Sequence, residues 1–356
     1  MKIGIIIGSL GYGGAERVTI RLAEWFIKKK YQVSIYTTME PPLKEYVKPN
    51  RVVRYLCHKE RGKISRIRKL RSTIKIDKPD VVIIMDTPMC VFAVPALIGL
   101  KIPYLVSERS YPKTNAIRRT TKYLAHFLMN FADGFIFQTE GAKQYYNKWI
   151  QKRSFIIKNP LVLSEMPMPY MGERTKRVVA VGRLIKAKNY PLLIEAFDSF
   201  VSEYPEYSLE IYGDGPERNK IKDKINGTYN KNKIILMGIK KDVLSKIQDA
   251  EIYVLSSDLE GMPNSLMEAM ALGIPTISTN CPPGGPAALI NNKVNGILIP
   301  VGNVIELRNS LKMLASNKDF RNKLSVNALK IREQVSIETI GIEWERAIKL
   351  ITNCER

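Results

Sequence analysis

Short runs of aliphatic residues alternate with amphipathic stretches along most of this chain. The first run, Ile3–Gly8, leads into a stretch from about Ala15 to Lys29 in which Val18, Leu22, Trp25 and Phe26 recur on one helical face. Strands are predicted at Gln32–Thr37, Val81–Met85, Tyr104–Ser107, Gly134–Gln138 and Ser154–Ile157. After a polar, proline-bearing link from Asn159 to Pro169 the plan restarts. Arg177–Gly182 reads as a strand and Pro191–Tyr204 as a helix; strands follow at Leu209–Tyr212, Ile234–Gly238, Ile252–Ser256, Thr276–Thr279 and Gly296–Ile299, and Thr339–Thr352 is helical. Strands alternating with helices predict parallel α/β packing. The repeated plan and the length of 356 residues predict two domains.

Composition adds boundaries. Apolar residues make up 45% and charged residues 25%, as in soluble globular proteins. The longest apolar stretch, Thr87–Leu100, is too short for a membrane span and contains Pro88 and Pro95. Met1 leads straight into the first strand, so no secretory signal is expected. Cys57, Cys90, Cys281 and Cys354 have no metal or redox spacing, which fits a reducing, cytosolic location.

Charge changes the picture more. The chain's net +22 is uneven: residues 1–161 carry 30 Lys+Arg against 11 Asp+Glu, and residues 162–356 carry 26 against 23. The densest basic stretch, His58–Lys75, places Ile64, Ile67, Leu70 and Ile74 at helical spacing, and Lys113, Arg118, Arg119 and Lys122 form a second basic cluster. A core helix with a solvated charged face is the ordinary reading. The functional one is docking on an anionic membrane surface, where each cation adds about 1 kcal/mol. No helix-turn-helix, zinc-finger or aromatic RNA-binding pattern is visible, so nucleic acid is not an expected partner.

The most informative chemistry lies in Asp258–Gly273. Gly261 lets backbone approach a ligand, and Pro263, Asn264 and Ser265 open a short helix that should stop near Gly273. A helix amino end suits a phosphate, and the flanking carboxylates Glu260 and Glu268 can accept paired hydrogen bonds from sugar hydroxyls. A strand-turn-helix with a Ser265/Glu268 capping box accounts for those two residues but not for Glu260 or Gly261. Gly182-Arg183 closes a strand and Lys188 follows it, where ligands of open α/β sheets sit. Gly213-Asp214-Gly215 reads as a turn. The Gly8–Gly14 loop misses the Gly-x-Gly-x-x-Gly spacing, and no acidic residue ends the second strand, so NAD is not expected. Its backbone N–H groups still suit a phosphate or close substrate approach; a plain tight turn is the alternative.

Together, Gly13-Gly14-Ala15-Glu16-Arg17, Gly182-Arg183-Leu184 with Lys188-Asn189, Gly213-Asp214-Gly215-Pro216, and Glu260 with Glu268 resemble the family 4 retaining glycosyltransferases of GT-B fold over nearly the whole chain. Ser107-Glu108-Arg109, Phe137-Gln138-Thr139, Lys158-Asn159-Pro160 and Cys281–Pro286 resemble the bacterial branch that extends lipid-linked or surface polysaccharides. The resemblance implies two Rossmann-like domains with parallel sheets facing a central cleft. Residues 1–161 would bind the acceptor and 162–338 the nucleotide sugar, with a last helix, about 339–356, packing back on the first domain. Arg183 and Lys188 match the diphosphate-binding pair, Glu260 the carboxylate on the donor sugar and Glu268 that on the ribose. Gly182, Gly213 and Gly261 through Met262, Pro263, Asn264, Ser265 and Leu266 match the backbone around sugar and phosphate. Gly13 and Gly14 match the acceptor domain's glycine loop, with Glu108 and Arg109 on the acceptor side.

Two departures stand out. Many relatives place a histidine where this chain has Ser107-Glu108-Arg109, and His58 and His126 fall elsewhere; Ala288 stands where the branch has Glu. No enzyme nucleophile and no Asp-x-Asp metal motif is visible. The implied reaction is metal-independent, front-face transfer of a hexose or N-acetylhexosamine with retention, without a cofactor. UDP ranks ahead of GDP in the donor. The expected setting is the inner face of the cell membrane, on a lipid-linked or glycan acceptor. The alternatives are an inactive GT-B subunit that binds a nucleotide sugar or a membrane partner, and a GT-B epimerase or phosphorylase.

Overall fold

β1 (Lys2–Ile7) is buried along all but its first residue, as an aliphatic run must be at the centre of a sheet covered on both faces. The computed structural model describes residues 1–11, 13–40, 48–60, 62–109, 111 and 118–353. Lys113 and Cys354 therefore lie outside the described residues. Contacts divide the chain into two units, Met1–Pro160 with Val335–Arg356, and Leu161–Gln334.

In the first unit α1 (Gly14–Lys28), β2 (Gln32–Thr37) and β3 (Val53–Leu56) follow β1. Then come α2 (Lys63–Asp77), β4 (Val81–Met85), α3 (Cys90–Leu97), β5 (Tyr104–Ser107) and α4 (Arg119–Met129). β6 (Gly134–Phe137), α5 (Glu140–Gln144), α6 (Lys148–Lys152) and β7 (Ser154–Ile156) complete it. Among the described residues the strands form one parallel sheet in the order β3-β2-β1-β4-β5-β6-β7. β3 was not predicted: it is an edge strand, Val-Arg-Tyr-Leu, with no buried position. Asp77 of α2 ties the β1, β2 and β3 strands together, accepting from Lys2 Nζ (2.5 Å), Tyr36 Oη (2.5 Å) and Tyr55 Oη (2.8 Å).

The second unit runs β8 (Thr175–Val181), α7 (Tyr190–Val201), β9 (Ser208–Tyr212), α8 (Arg218–Asn226), β10 (Ile234–Gly238), α9 (Val243–Ile247) and β11 (Ala250–Leu255). α10 (Asn264–Ala271), β12 (Thr276–Thr279), β13 (Ile297–Ile299), α11 (Val304–Ser316), α12 (Lys318–Ala328) and α13 (Ile331–Gln334) complete it. Its described strands form a parallel sheet in the order β10-β9-β8-β11-β12-β13. Each sheet therefore reverses its winding direction once, between β1 and β4 and between β8 and β11. Ligands of such sheets bind at that reversal, outside the strands' carboxyl ends.

α14 (Ile337–Thr352) returns to the first unit and packs on α1. Gly341 makes this possible: a Cβ there would lie 2.3 Å from the Trp25 indole. Tyr31 Oη donates to Glu345 Oε1 at 2.6 Å.

The α2 helix forms where the basic stretch predicts, with Leu70 and Ile74 buried and Ile67 partly so. Ile64, in the first turn, is exposed instead. Arg66 and Arg71 are also not free surface charges. Arg66 Nε donates to the Glu60 carbonyl (3.1 Å), and Arg71 Nη1 to those of Ala96 (3.0 Å) and Ile98 (2.6 Å). Lys63, Arg68, Lys69 and Lys75 are the exposed cations of this helix. No helix among the described residues is long and apolar enough to cross a membrane.

Candidate functional site

At the reversal of the second sheet, the loop after β8 meets the loop after β11. Lys188 Nζ, in a short 3-10 turn, is ion-paired with Glu260 Oε1, which also accepts from Ser257 Oγ at 2.6 Å. A backbone bond holds the two loops together, Asp258 N donating to Ala187 O at 2.8 Å, and Glu260 N ties the second of them to the loop after β12 by donating to Pro282 O at 3.0 Å. Asn189, in the left-handed region at φ 44°, donates to Asp258 Oδ1 at 2.7 Å and caps α7 through Leu192 N. Gly182 lies directly beneath: a Cβ there would approach Tyr190 Oη to 3.0 Å and Lys188 Cε to 3.4 Å. Arg183 projects into solvent, with no side-chain hydrogen bond or ion pair among the described residues.

Glycines set the spacing. At Gly213, φ is +134° and a Cβ would sit 2.0 Å from the Gly182 carbonyl oxygen; at Gly285 it would sit 1.9 Å from that of Gly261. Gly213-Asp214-Gly215 is thus more than a turn, because it lets the strand ends carrying Gly182 and Leu184 approach without clash. Leu184 N donates to Asp214 O at 2.9 Å.

The α10 helix starts one residue after Pro263, its N-cap, and no side chain caps it. The Ser265/Glu268 capping box is therefore not formed. Glu268 is instead buried within the helix. With no side-chain cap, the helix amino end, and the partial positive charge that accompanies it, lies beside Glu260 and Gly261. Burial, and then the Glu260 carboxylate, push the Cys281 thiol up to about 12, which makes it a poor nucleophile.

The acceptor-side residues lie on the first unit. Gly13 is the N-cap of α1, and the Glu16 carboxylate folds back over it, with Oε2 2.2 Å from where a Cβ on Gly13 would lie. Burial raises the Glu16 pKa. The amino end of α1 therefore already holds a carboxylate, which argues against a bound phosphate there and leaves open close substrate approach or a plain tight turn. Glu108 is buried, accepting from Thr87 Oγ1 (2.6 Å) and Tyr146 Oη (2.8 Å). Arg109 Nη1 donates to Asn159 Oδ1 at 3.0 Å, and its guanidinium lies 5.3 Å from the Trp344 ring centre. Burial lowers the Arg109 pKa to about 10 against the pull of Asp86 and Glu108. Thr87, Tyr146 and Trp344 were not anticipated. Asp86 was open to discovery, since it directly follows β4 at the reversal of the first sheet.

A cavity of about 690 Å³ at the amino end of the second sheet has its buried charges engaged by protein groups. Glu251 there accepts from Tyr207 and faces Lys176 and Arg321 at 3.4 Å, while Arg174 is spent on backbone carbonyls. Among the described residues no group of three or more His, Cys, Asp or Glu side chains is arranged to hold a metal ion.

The model of the family described as Glycosyl transferases group 1 matches residues 171–331, and that of Glycosyltransferase Family 4 matches residues 12–165. The chain belongs to this glycosyltransferase family. Two bacterial relatives align over almost all of it. A Haemophilus influenzae "Uncharacterized glycosyltransferase" is 27% identical, covering 97% of this chain and 99% of its own. A Campylobacter jejuni "GalNAc-alpha-(1->4)-GalNAc-alpha-(1->3)-diNAcBac-PP-undecaprenol alpha-1,4-N-acetyl-D-galactosaminyltransferase" is 28% identical, covering 99% of each. Among solved structures, Anabaena HepE in complex with UDP superposes with a TM-score of 0.84 at 17% identity, covering 98% of this chain and 100% of that one. The lipopolysaccharide outer core galactosyltransferase WaaB, in its apo form, gives 0.79 at 19%, covering 98% and 99%. These likenesses show the fold: the glycosyltransferase has the GT-B architecture, with a parallel sheet in each unit.

Proposed function

We propose that this glycosyltransferase moves a hexose or N-acetylhexosamine, with retention and without a metal, from a nucleotide diphosphate sugar to a lipid-linked or surface-glycan acceptor. The observation that carries the reading is the Lys188–Glu260 pair, seated at the reversal of the second sheet beside Arg183 and the amino end of α10. Lys188 and Arg183 neutralise the diphosphate, Glu260 receives hydroxyls of the donor sugar and Glu268 those of the ribose. Gly182, Gly213 and Gly261 to Leu266 supply the backbone bed. The bond from the anomeric carbon to the diphosphate oxygen breaks, and its electron pair leaves with the diphosphate. The acceptor hydroxyl bonds to that carbon on the same face, and its proton passes to the leaving phosphate oxygen. The protein contributes orientation and preorganised positive charge.

UDP ranks first for the base, since HepE is solved with UDP and with UDP-glucose. The acceptor class rests on the Campylobacter relative, whose name carries an undecaprenol-PP-linked glycan. The basic first unit fits such an acceptor gathered at the cytosolic face of an anionic membrane. A nucleotide-sugar panel, read by thermal shift and product mass, tests the proposal. Nucleoside diphosphate should be released only when donor and a glycan acceptor, polyprenyl-diphosphate-linked or its short soluble analogue, are both present. Donor binding without turnover on any acceptor points to an inactive subunit, and release that ignores the acceptor points to a phosphorylase or epimerase.

A further inference from the structure

The α4 helix presents an apolar stripe that none of the described residues covers. Tyr123, Leu124, Phe127 and, one turn on, Phe131 are 70%, 47%, 62% and 54% exposed. At about 100° per residue they occupy about 100° of arc, while Ala125 and Met129 on the far side are buried. Phe127 and Phe131 meet edge to face, 5.7 Å between ring centres, so the stripe is continuous. Exposed Arg118 and Arg119 flank its start, and Lys122 lies 6.0 Å from the Tyr145 ring centre. Between Glu108 and Asp133 the chain carries no acidic residue. The α2, α3 and α4 helices pack in one layer, so the stripe shares its layer with the exposed cations Lys63, Arg68, Lys69 and Lys75.

Resting on the membrane-linked acceptor proposed above, we infer that α4 inserts this stripe into the interfacial zone of an anionic bilayer. Aromatic side chains at the level of the lipid carbonyls, with arginines reaching phosphates, are what that zone selects. The stripe therefore adds a salt-resistant, hydrophobic component to the electrostatic attraction of α2.

The test is sedimentation of the full chain with phosphatidylcholine vesicles, with and without phosphatidylglycerol, at low salt and at about 1 M, where the Debye length shrinks to about 3 Å. Wild type should keep measurable binding to anionic vesicles at high salt. The Phe127→Ser/Phe131→Ser pair should lower that residual binding about tenfold or more, whereas Lys63→Gln/Arg68→Gln/Lys69→Gln/Lys75→Gln should weaken mainly the low-salt binding. Phe127→Trp should be quenched by brominated lipid beyond the wild-type background. Transfer to a short water-soluble acceptor should survive every one of these changes. Complete release of wild type by salt, or an unquenched Phe127→Trp, overturns insertion. So does a wild-type dimer that the serine pair splits while vesicle binding is absent. Loss of transfer to the soluble acceptor in wild type would instead strike the functional reading itself.

Discussion

Lys188 and Glu260 lie 72 residues apart and form one ion pair, because β8 and β11 are neighbours only through the reversal of the second sheet. Each is mostly buried, with side-chain exposures of 17% and 11%, so removing either leaves the other poorly compensated. The proposed roles then separate. Glu260→Gln should lower turnover about a hundredfold while leaving nucleoside diphosphate affinity unchanged or raised, since it frees the ammonium for phosphate. Lys188→Met and Arg183→Ala should each weaken nucleoside diphosphate binding and lower turnover by about the same factor. Calorimetry and steady-state rates on folded variants decide this; a near-normal Arg183→Ala enzyme removes that residue from the diphosphate site.

Glu268 is buried in α10, three residues beyond Ser265, and takes no part in a capping box. Its assignment to the ribose predicts that Glu268→Gln loses affinity for free nucleoside diphosphate about tenfold, roughly the loss of one charge-assisted hydrogen bond. Glu260→Gln should not. If both variants bind the nucleotide equally well, or equally poorly, the division between sugar and ribose fails.

What could be read from the chain, and what could not, follows from how far each feature reaches in sequence. Buried parallel strands announce themselves as apolar runs, which is why β2, β4 and β5 appear with their observed bounds, while β3, polar and on an edge, does not. Gly182-Arg183 could be placed because it directly follows β8, and Glu260-Gly261 because it lies in the loop between β11 and the start of α10. Their support could not: Tyr190 beneath Gly182, Ser257 on Glu260, and the Pro282 carbonyl on Glu260 N depend on which strands are neighbours. Long side chains mislead most. The basic stretch reads as uniform charge, yet Arg66 and Arg71 curl onto carbonyls, and Glu16 turns back over the helix end that reads as open to a phosphate or a close-approaching substrate.

Gly341 predicts where the first unit is fragile. Gly341→Ala would drive a methyl to 2.3 Å from the Trp25 indole. Overpacking of this kind costs about 1–3 kcal/mol, which exceeds the helix-propensity gain of about 1 kcal/mol. All three tryptophans, Trp25, Trp149 and Trp344, lie in this unit, so intrinsic fluorescence during urea unfolding reads it selectively. The penalty should shrink in a Trp25→Leu background. An unchanged unfolding midpoint, or a penalty that ignores Trp25→Leu, rules the contact out as the cause.

Both histidines, His58 and His126, also lie in the first unit. Burial lowers the pKa of each below 6.5. For His58 the Arg54 cation adds to this while Glu40 and Thr37 oppose it; for His126 Glu108 opposes and Lys122 adds. A lowered folded-state pKa means that the fold prefers neutral imidazole. That contribution is complete above the unfolded value of about 6.5 and is lost as the pH falls toward the folded values. Glu16 and Glu343, whose pKa values burial raises, act in the opposite sense at the acidic end of the same range, so wild type alone gives a mixed slope. The comparison that isolates the imidazoles is His58→Asn/His126→Phe. Asparagine can keep the 3.3 Å contact of Nδ1 with Thr37 Oγ1, and phenylalanine the ring packing on Tyr145 and Tyr146. Between about pH 7.5 and about pH 5.5 the fluorescence-detected melting point of wild type should fall more than that of the double variant. Parallel pH profiles would show that the two imidazoles are not held neutral by the fold.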